Sequence, residues 1–367
     1  MNTLVQKTKK MSGMALLAAG MLFGAASAQA QGCVAIRNMS SCSGSGAAAL
    51  LQPSSWQLSF SYRQFRSFRH FSGTTENKER LVTGNEVINK SKFLDIGLTY
   101  AINSRLSVNA ALPVQHNDRS SWYEHDRLNR YHSQSQGIGD ARLTASYWLL
   151  DPQAHPTQNI SLGLGLKAPT GNNDARDEFH IKKGEELVLE NRPVDQSIQL
   201  GDGGWGGTLE FQAFKGLSHR VSVYGAGFYL LNPRDTTQTR TYRETLRNTL
   251  ANESYLSVPD QFMFRAGLSY NLMAIHGLSL AAGGRIEGIP VYDLIGKENG
   301  FRRPGHIVSA EPTVSYMRGR HNLALSVPVA LIRNRTQSVT DKAMNRHGDA
   351  AFADYLVSVT YAYQLSK

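Results

Sequence analysis

The chain has 367 residues, with 39 lysines and arginines against 29 aspartates and glutamates, and a formal net charge of +10 at pH 7. Its 33 glycines, 15 tyrosines and 14 phenylalanines favour antiparallel β-structure, and no amphipathic helix longer than two turns stands out. A basic chain can bind nucleic acid, but the export signal described next argues against that function. Lipopolysaccharide phosphates and anionic solutes are the charged neighbours that we expect instead.

Residues 1–30 are predicted to form a cleaved signal peptide. Three lysines in the first ten residues precede an apolar run from Met14 to Ala25, and Ala28 and Ala30 supply the small residues of a cleavage site. The apolar run is shorter than the roughly 20 residues that cross a bilayer. A signal-anchored inner-membrane protein is the alternative. We therefore expect a mature chain that folds outside the cytoplasm.

The two cysteines of the chain, Cys33 and Cys42, follow the predicted cleavage site in a Ser/Gly-rich stretch. In an oxidising compartment such a pair forms a disulfide, so we predict a small closed loop within a flexible periplasmic or lumenal segment, residues 31–55. Lipidation of Cys33 is the alternative, although the leucine usual three residues before a lipidated cysteine is absent. A CxxC or His-rich metal pattern is also absent from the sequence, and we expect neither a metal nor a cofactor.

From residue 56 onwards, apolar and polar residues alternate with a period of two, which predicts β-strands. In the first segment, Trp56, Leu58 and Phe60 are separated by polar residues. Twelve such segments begin near Trp56, Leu94, Leu106, Gly139, Asn159, Thr208, Arg220, Phe262, Leu278, Ile307, Leu323 and Phe352.

Short and long connections alternate between these segments. The short ones are 103–104, 151–158, 216–219, 273–277 and 318–322, and the long ones are 69–91, 117–137, 170–205, 232–258, 290–306 and 336–351. This alternation is typical of a transmembrane β-barrel with both termini in the periplasm. A soluble β-sandwich is the alternative. The prediction is an all-β fold, a twelve-stranded antiparallel outer-membrane barrel over residues 56–367, closed so that no edge meets lipid.

Charged residues occupy inward positions of the predicted strands. Eight strands leave a lumen that side chains fill, and sixteen to eighteen leave an aqueous channel, so twelve predict a narrow path. Salt bridges that close and stiffen the barrel are the alternative role for the same charges. The predicted channel-lining residues are Asp95, Asp140, Arg142, Lys167, Glu210, Arg265, Arg285, Glu287 and Glu311.

Three phrases, Tyr100–Pro113, Gly137–Leu143 and Leu162–Gly171, occur in that order. Together they resemble the outer-membrane transporter family named for the MetA pathway of phenol degradation. The resemblance implies a single-chain barrel in the bacterial outer membrane that passes small solutes, among them aromatic or apolar compounds. We expect outer-membrane lipid, lipopolysaccharide, a small-molecule solute and the barrel-assembly machinery as partners. The family name does not assign phenol as the solute.

Two other functions fit parts of the sequence. His70 and Ser72 have the His-x-Ser spacing of barrel lipases and deacylases, but no motif identifies the third member that a nucleophilic mechanism needs. Alternatively, the long charged loops 170–205 and 232–258 could make a structural or adhesive barrel. We expect a channel without catalytic residues.

Overall fold

The computed structural model describes residues 51–241 and 248–365. Its strands, in chain order, are β1 (Ser55–Ser72), β2 (Thr75–Glu76), β3 (Ile88–Ala101), β4 (Leu106–Ser121), β5 (Tyr131–Ile138), β6 (Ala141–Trp148), β7 (Gln158–Ala168), β8 (Arg176–Lys183), β9 (Glu186–Pro193), β10 (Gly206–Gly216), β11 (Val221–Leu231), β12 (Thr236–Arg240), β13 (Tyr255–Ser257), β14 (Gln261–Asn271), β15 (Leu278–Ile289), β16 (Gly305–Arg318), β17 (His321–Ser326), β18 (Val329–Asn334) and β19 (Ala350–Leu365).

Over these residues the chain forms a closed antiparallel barrel of twelve strands, as predicted. The order around the barrel is β1, β3, β4, β5 with β6, β7, β10, β11, β14, β15, β16, β17 with β18, and β19. The last strand pairs with the first, from Trp56 opposite Leu365 to Phe71 opposite Ala350. Closure gives every strand two neighbours, which is the requirement for backbone that is surrounded by lipid.

Two of the twelve barrel strands are interrupted. β5 and β6 form one strand that breaks at Gly139 and Asp140, and β17 and β18 form another that breaks at Val327 and Pro328. A proline has no backbone N–H to give to the ladder, which accounts for the second break. The carbonyl of Pro328 still accepts a hydrogen bond from the N–H of Leu356 on β19. The sheet therefore stays closed across the break.

The connections alternate in length as predicted. Short connections lie at one end of the barrel, and the other end carries the longer loops 73–87, 122–130, 169–205, 232–260, 290–304 and 335–349. These loops contain helix α1 (Glu79–Thr83), helix α2 (Val339–Ala343), 3-10 turns at Gln196–Ile198 and Asn248–Glu253, and the strand pairs β8–β9 and β12–β13.

The strands are longer at the loop end than the sequence indicated. β4 continues to Ser121 and β5 begins at Tyr131, inside the predicted loop 117–137. Here the ladder extends past the apolar part of the wall, so polar residues occupy both faces and the alternation that identified the strand disappears. Beyond the strands, no helix among residues 51–241 and 248–365 is long and apolar enough to cross a membrane.

The two faces of the wall differ as a barrel in lipid requires. On β7, Leu162, Leu164 and Leu166 are at least half exposed on the outside, whereas Ser161, which precedes Leu162, is buried on the inside. The predicted signal peptide 1–30, most of the segment 31–55, and both Cys33 and Cys42 lie outside the described residues. The disulfide and the division into domains therefore stay predictions.

Candidate transport path through the barrel

Three cavities follow one another along the barrel. The outer cavity, of about 390 Å³, lies among the loops and contains His70 and Arg303. The upper cavity, of about 140 Å³, shares Arg303 with it and extends down to Arg142. The lower cavity, of about 100 Å³, shares Arg142 with the upper one and has Leu51 in its lining. Leu51 precedes β1 at the end with the short connections, so the series runs from the loops towards that end.

One loop segment, residues 195–202, narrows the upper lumen. Gln115 of β4 donates a hydrogen bond to the carbonyl of Leu200 at 2.7 Å, and Ser135 of β5 donates to the carbonyl of Ile198. Ile198 is completely buried and packs with Leu200 and Val194 in a small apolar cluster. These contacts hold the segment against the inner wall.

Two predicted channel-lining residues hold the same loop. Asp140 accepts hydrogen bonds from the backbone N–H groups of Gly171 at 3.0 Å and Asp202 at 3.1 Å. Lys167 forms an ion pair with the Asp202 side chain. Asp140 sits at the break between β5 and β6, where the interrupted ladder lets its side chain reach the loop.

Ionic contacts separate the outer cavity from the upper one. Arg303 donates to Asp195 at 2.8 and 2.5 Å, and Arg119 lies 3.5 Å from the same carboxylate. Arg119 also pairs with Glu124 at 2.6 Å. Burial raises the pKa of Asp195, but the charges of Arg119 and Arg303 outweigh it and hold that pKa well below its ordinary value. Asp195 is therefore an anion that joins β4 to two loops.

Arg142 lies between the upper and lower cavities. Its strand neighbour across the ladder is Lys167, and its guanidinium lies 5.8 Å from the centre of the Phe228 ring. Below it, Glu210 accepts hydrogen bonds from Thr144 at 3.1 Å and Thr208 at 3.2 Å. A guanidinium and a carboxyl group thus flank the junction of the two cavities.

Four predicted residues form one buried cluster on β14, β15 and β16. Arg265 lies 3.3 Å and Arg285 lies 3.6 Å from the carboxylate of Glu311, and Arg285 also contacts Glu287 at 2.8 Å. Ser326 of β17 donates to Glu311 at 2.8 Å. Arg265 and Arg285 are direct cross-strand partners, so Glu311 separates two cations that would otherwise repel.

The nine predicted residues thus divide into two groups. Asp95, Arg142, Glu210 and Arg265 line the lower cavity, and Arg142 and Lys167 line the upper one. The remaining four are not among the residues that line these two cavities: Asp140, Arg285, Glu287 and Glu311. Sequence reasoning missed Arg63, which pairs with Asp95 at 3.3 Å, and also missed the contacts of Arg119, Asp195 and Arg303. Only the inward position of Arg63 on β1 could have identified one of these four.

The His-x-Ser pair gains an acidic neighbour in the structure but not the geometry of a catalytic site. Nδ1 of His70 lies 2.8 Å from Asp349, and its Nε2 accepts a hydrogen bond from the backbone N–H of Val87 at 2.9 Å. Ser72 instead accepts a hydrogen bond from Asn77 at 3.1 Å. A general base needs a free lone pair directed at the nucleophile, and that of His70 is already used by Val87.

Comparisons with known proteins bear on the fold. No family model matches the chain, and no curated protein matches it. A crystal structure of an outer membrane channel from Pseudomonas putida F1 is similar, with a TM-score of 0.55 and 15% identity over 86% of this chain and 97% of that one.

Two further similar structures have lower scores. The translocator domain of the autotransporter NalP from Neisseria meningitidis has a TM-score of 0.44 and 12% identity, over 84% of this chain and 88% of that one. The Pseudomonas putida toluene transporter TodX has a TM-score of 0.44 and 11% identity, over 92% and 96%. The higher-scoring similarity to the Pseudomonas putida F1 channel shows that the chain has the fold of an outer-membrane β-barrel.

Proposed function

We propose that this protein is an outer-membrane channel for small solutes, in particular single-ring aromatic or apolar compounds. The observation that carries the proposal is the series of three cavities, in which Arg303 is common to the outer and upper ones and Arg142 to the upper and lower ones. A barrel with a purely structural or adhesive role would need no such series. The resemblance to the MetA-pathway transporter family supports the same function.

The size and lining of the cavities support a small, weakly polar solute. A cavity of about 150 Å³ is large enough to hold benzene, and the upper cavity, which polar and apolar side chains line together, measures about 140 Å³. Phe65, Phe93 and Ile289 contribute apolar surface to it, and Trp148 and Met263 do so in the lower cavity. Such surface favours an aromatic ring over a hydrated ion or a sugar.

Most of the lumenal charge is neutralised within the protein. Arg63 pairs with Asp95, Lys167 with Asp202, and Arg265 with Glu311. Paired charges attract a free ion less than single ones do, so these pairs favour a path for neutral compounds. We propose that the nine predicted residues serve in two ways: those at the cavities shape the path, and the buried Arg285 cluster stiffens the wall. We also propose that the barrel-assembly machinery folds and inserts this protein into the outer membrane.

Flux into proteoliposomes tests this function. The purified chain should admit a labelled single-ring aromatic hydrocarbon faster than protein-free vesicles do, and should admit a disaccharide little. Ala226→Trp places a bulky ring in the lower cavity, since Ala226 lies in its lining. Val223→Trp is the matched control on the outer face of the same strand.

The expected result is loss of aromatic flux in Ala226→Trp and wild-type flux in Val223→Trp. Both variants should keep the heat-modifiable gel migration of a folded barrel. Wild-type flux no faster than that of empty vesicles, or full flux through Ala226→Trp, would contradict a path through these cavities.

A further inference from the structure

A cluster of cations lies on the outer face of the barrel near the loop end. Arg66 of β1 is the direct cross-strand partner of Lys90 of β3, and Lys92 follows two residues along β3. The outward positions of β1 at this height are occupied by Gln64, Arg66 and Phe68. Both lysines of β3 are exposed. We call Arg66, Lys90 and Lys92 the cation patch.

The height of the cation patch follows from the strand register. Trp56 and Tyr100 are cross-strand partners at the periplasmic end, with their rings 4.5 Å apart, as in an aromatic belt at a membrane interface. Arg66 and Lys90 each lie about ten residues further along their strands, which is the length that crosses the hydrocarbon core. The cation patch therefore lies at the headgroup level of the outer leaflet.

The surface below the cation patch is apolar. Phe60 and Tyr62 on β1 face outwards beside Ile96 and Leu94 on β3. A lipid whose anionic headgroup met the cation patch would thus lay its acyl chains along these side chains. The vertical order of charge above hydrocarbon matches the order of groups in a lipid molecule.

The protein places one carboxylate, that of Asp118, opposite the three charges of the cation patch and so offsets them only in part. Like charges directly opposite one another in a sheet are destabilising. Within residues 51–241 and 248–365, no carboxylate lies within ion-pair distance of Arg66, Lys90 or Lys92. Asp118 is the cross-strand partner of Lys90 on β4, but its carboxylate accepts hydrogen bonds from His132 at 2.8 Å and Gln134 at 3.3 Å.

The wall next to Lys92 adds an imidazole to this surface. His116 of β4 is the direct cross-strand partner of Lys92 and is exposed on the same face. The Arg66 guanidinium lies 4.6 Å from the centre of the Phe68 ring, and this contact holds the planar, forked guanidinium in place within the cation patch. A fork of this kind matches the geometry of a phosphate group, and a lysine beside it contributes a point charge.

We propose that the cation patch binds a phosphate of lipid A, the membrane anchor of lipopolysaccharide. The phosphate lies between Arg66 and Lys90, where it relieves their repulsion, and Lys92 contributes from the next outward position. The acyl chains of lipid A pack on Tyr62 and Leu94. The inference rests on the outer-membrane location of the barrel, and does not depend on which solute passes through it.

Native mass spectrometry of the full chain, released from detergent in the presence of lipid A, tests the site. The informative variant replaces all three cations, as Arg66→Gln, Lys90→Gln and Lys92→Gln. Lys215→Gln is the matched control, because Lys215 is an exposed lysine at the periplasmic end of β10. If the triple variant does not show the heat-modifiable migration of a folded barrel, the single variant Lys90→Gln replaces it in the binding test.

We expect the triple variant to bind bisphosphorylated lipid A at least about tenfold more weakly than the wild type, since each basic residue beside an anionic lipid surface strengthens binding. Lys90→Gln alone should weaken binding several-fold, and Lys215→Gln should not change it. Dephosphorylated lipid A should bind the wild type as weakly as bisphosphorylated lipid A binds the triple variant.

Three results would overturn the proposal: unchanged lipid A binding in the triple variant, equal binding of dephosphorylated lipid A, or displacement of lipid A by an equal amount of phosphatidylglycerol. The aromatic flux of the triple variant is measured in parallel. Wild-type flux with lost lipid A binding separates this site from the transport path. Conversely, an absence of flux in the wild type leaves the lipid A result valid.

Discussion

Arg303 donates two hydrogen bonds to the carboxylate of Asp195, at 2.8 and 2.5 Å, and so joins loop 290–304 to loop 169–205 across the lumen. Both side chains are largely buried. Because Arg303 also lines the outer and upper cavities, this ion pair lies at the boundary between them. A solute that enters from the loops would meet this ion pair between the two cavities.

Truncation of this arginine should widen the path. In Arg303→Ala the outer and upper cavities merge, while Asp195 keeps Arg119 as a partner at 3.5 Å. We expect a higher single-channel conductance in planar bilayers than for the wild type. Lys182→Ala, at an exposed position of β8, is the control and should leave conductance unchanged. Equal conductance in Arg303→Ala and wild type would show that the boundary lies elsewhere.

The charge of Arg142 should set the ion selectivity of the lumen. A charge in a narrow path of low dielectric constant acts strongly on a passing ion, and Arg142 lines both the upper and the lower cavity. We expect Arg142→Glu to shift the reversal potential under a salt gradient towards cation selectivity. Lys215→Glu, on the outer face, should not shift it. An unchanged reversal potential in Arg142→Glu would argue against a path past this residue.

Arg285 tests whether a buried charge stabilises the barrel wall without lining the transport path. It is 3% exposed and contacts Glu287 and Glu311. Removing one partner of a buried ion pair typically costs about 3–5 kcal/mol, so Arg285→Gln should lower the yield of folded barrel. Its remaining folded fraction should keep the wild-type reversal potential.

Acidification should loosen loop 73–87 through His70. This residue lies at the outer end of β1, beyond the stretch that crosses the membrane. Burial lowers the pKa of His70 below 6.5, although the hydrogen bond to Asp349 opposes this. The released loop therefore takes up a proton at a pH where the packed loop does not. The stability of the packed loop falls as the pH decreases below 6.5. Protonated Nε2 cannot accept the Val87 N–H.

Asp349 responds in a lower pH range. Burial raises the pKa of its carboxyl, but the hydrogen bond from His70 and the charge of Arg80 outweigh burial and lower that pKa to about 2. A depressed carboxyl pKa contributes stability above the ordinary value of 3.8, and that contribution is lost as the pH falls towards 2. Asp349 therefore does not contribute to loosening between about pH 7 and pH 5.

Limited proteolysis of loop 73–87 measures this effect. Cleavage should become several-fold faster between about pH 7 and pH 5 in the wild type, which is the range of an ordinary histidine. In His70→Gln the rate should no longer depend on pH over that range. His132→Gln, at a half-exposed histidine that contacts Asp118, should behave as the wild type. A pH-dependence that survives in His70→Gln would assign it to another group.

The sequence by itself determined the wall of the barrel. The side chains of a β-strand alternate between two faces, so a strand between lipid and a polar lumen has a period of two that is visible locally, as from Trp56 to Tyr62. The twelve strands and their alternating connections followed from this pattern. Arg142 and Glu210 could be selected as inward for the same reason.

Only the tertiary structure decided what fills the lumen and how it is held. Asp195 meets Arg303 across 108 positions of the chain, and Asp349 meets His70 across 279 positions. Barrel closure and loop packing bring such distant partners together. No local periodicity carries that information, because loops expose their backbone and side chains to many competing partners. The sequence likewise marked Asp140 only as an inward charge, whereas the strand break beside it made that carboxylate the anchor of a loop.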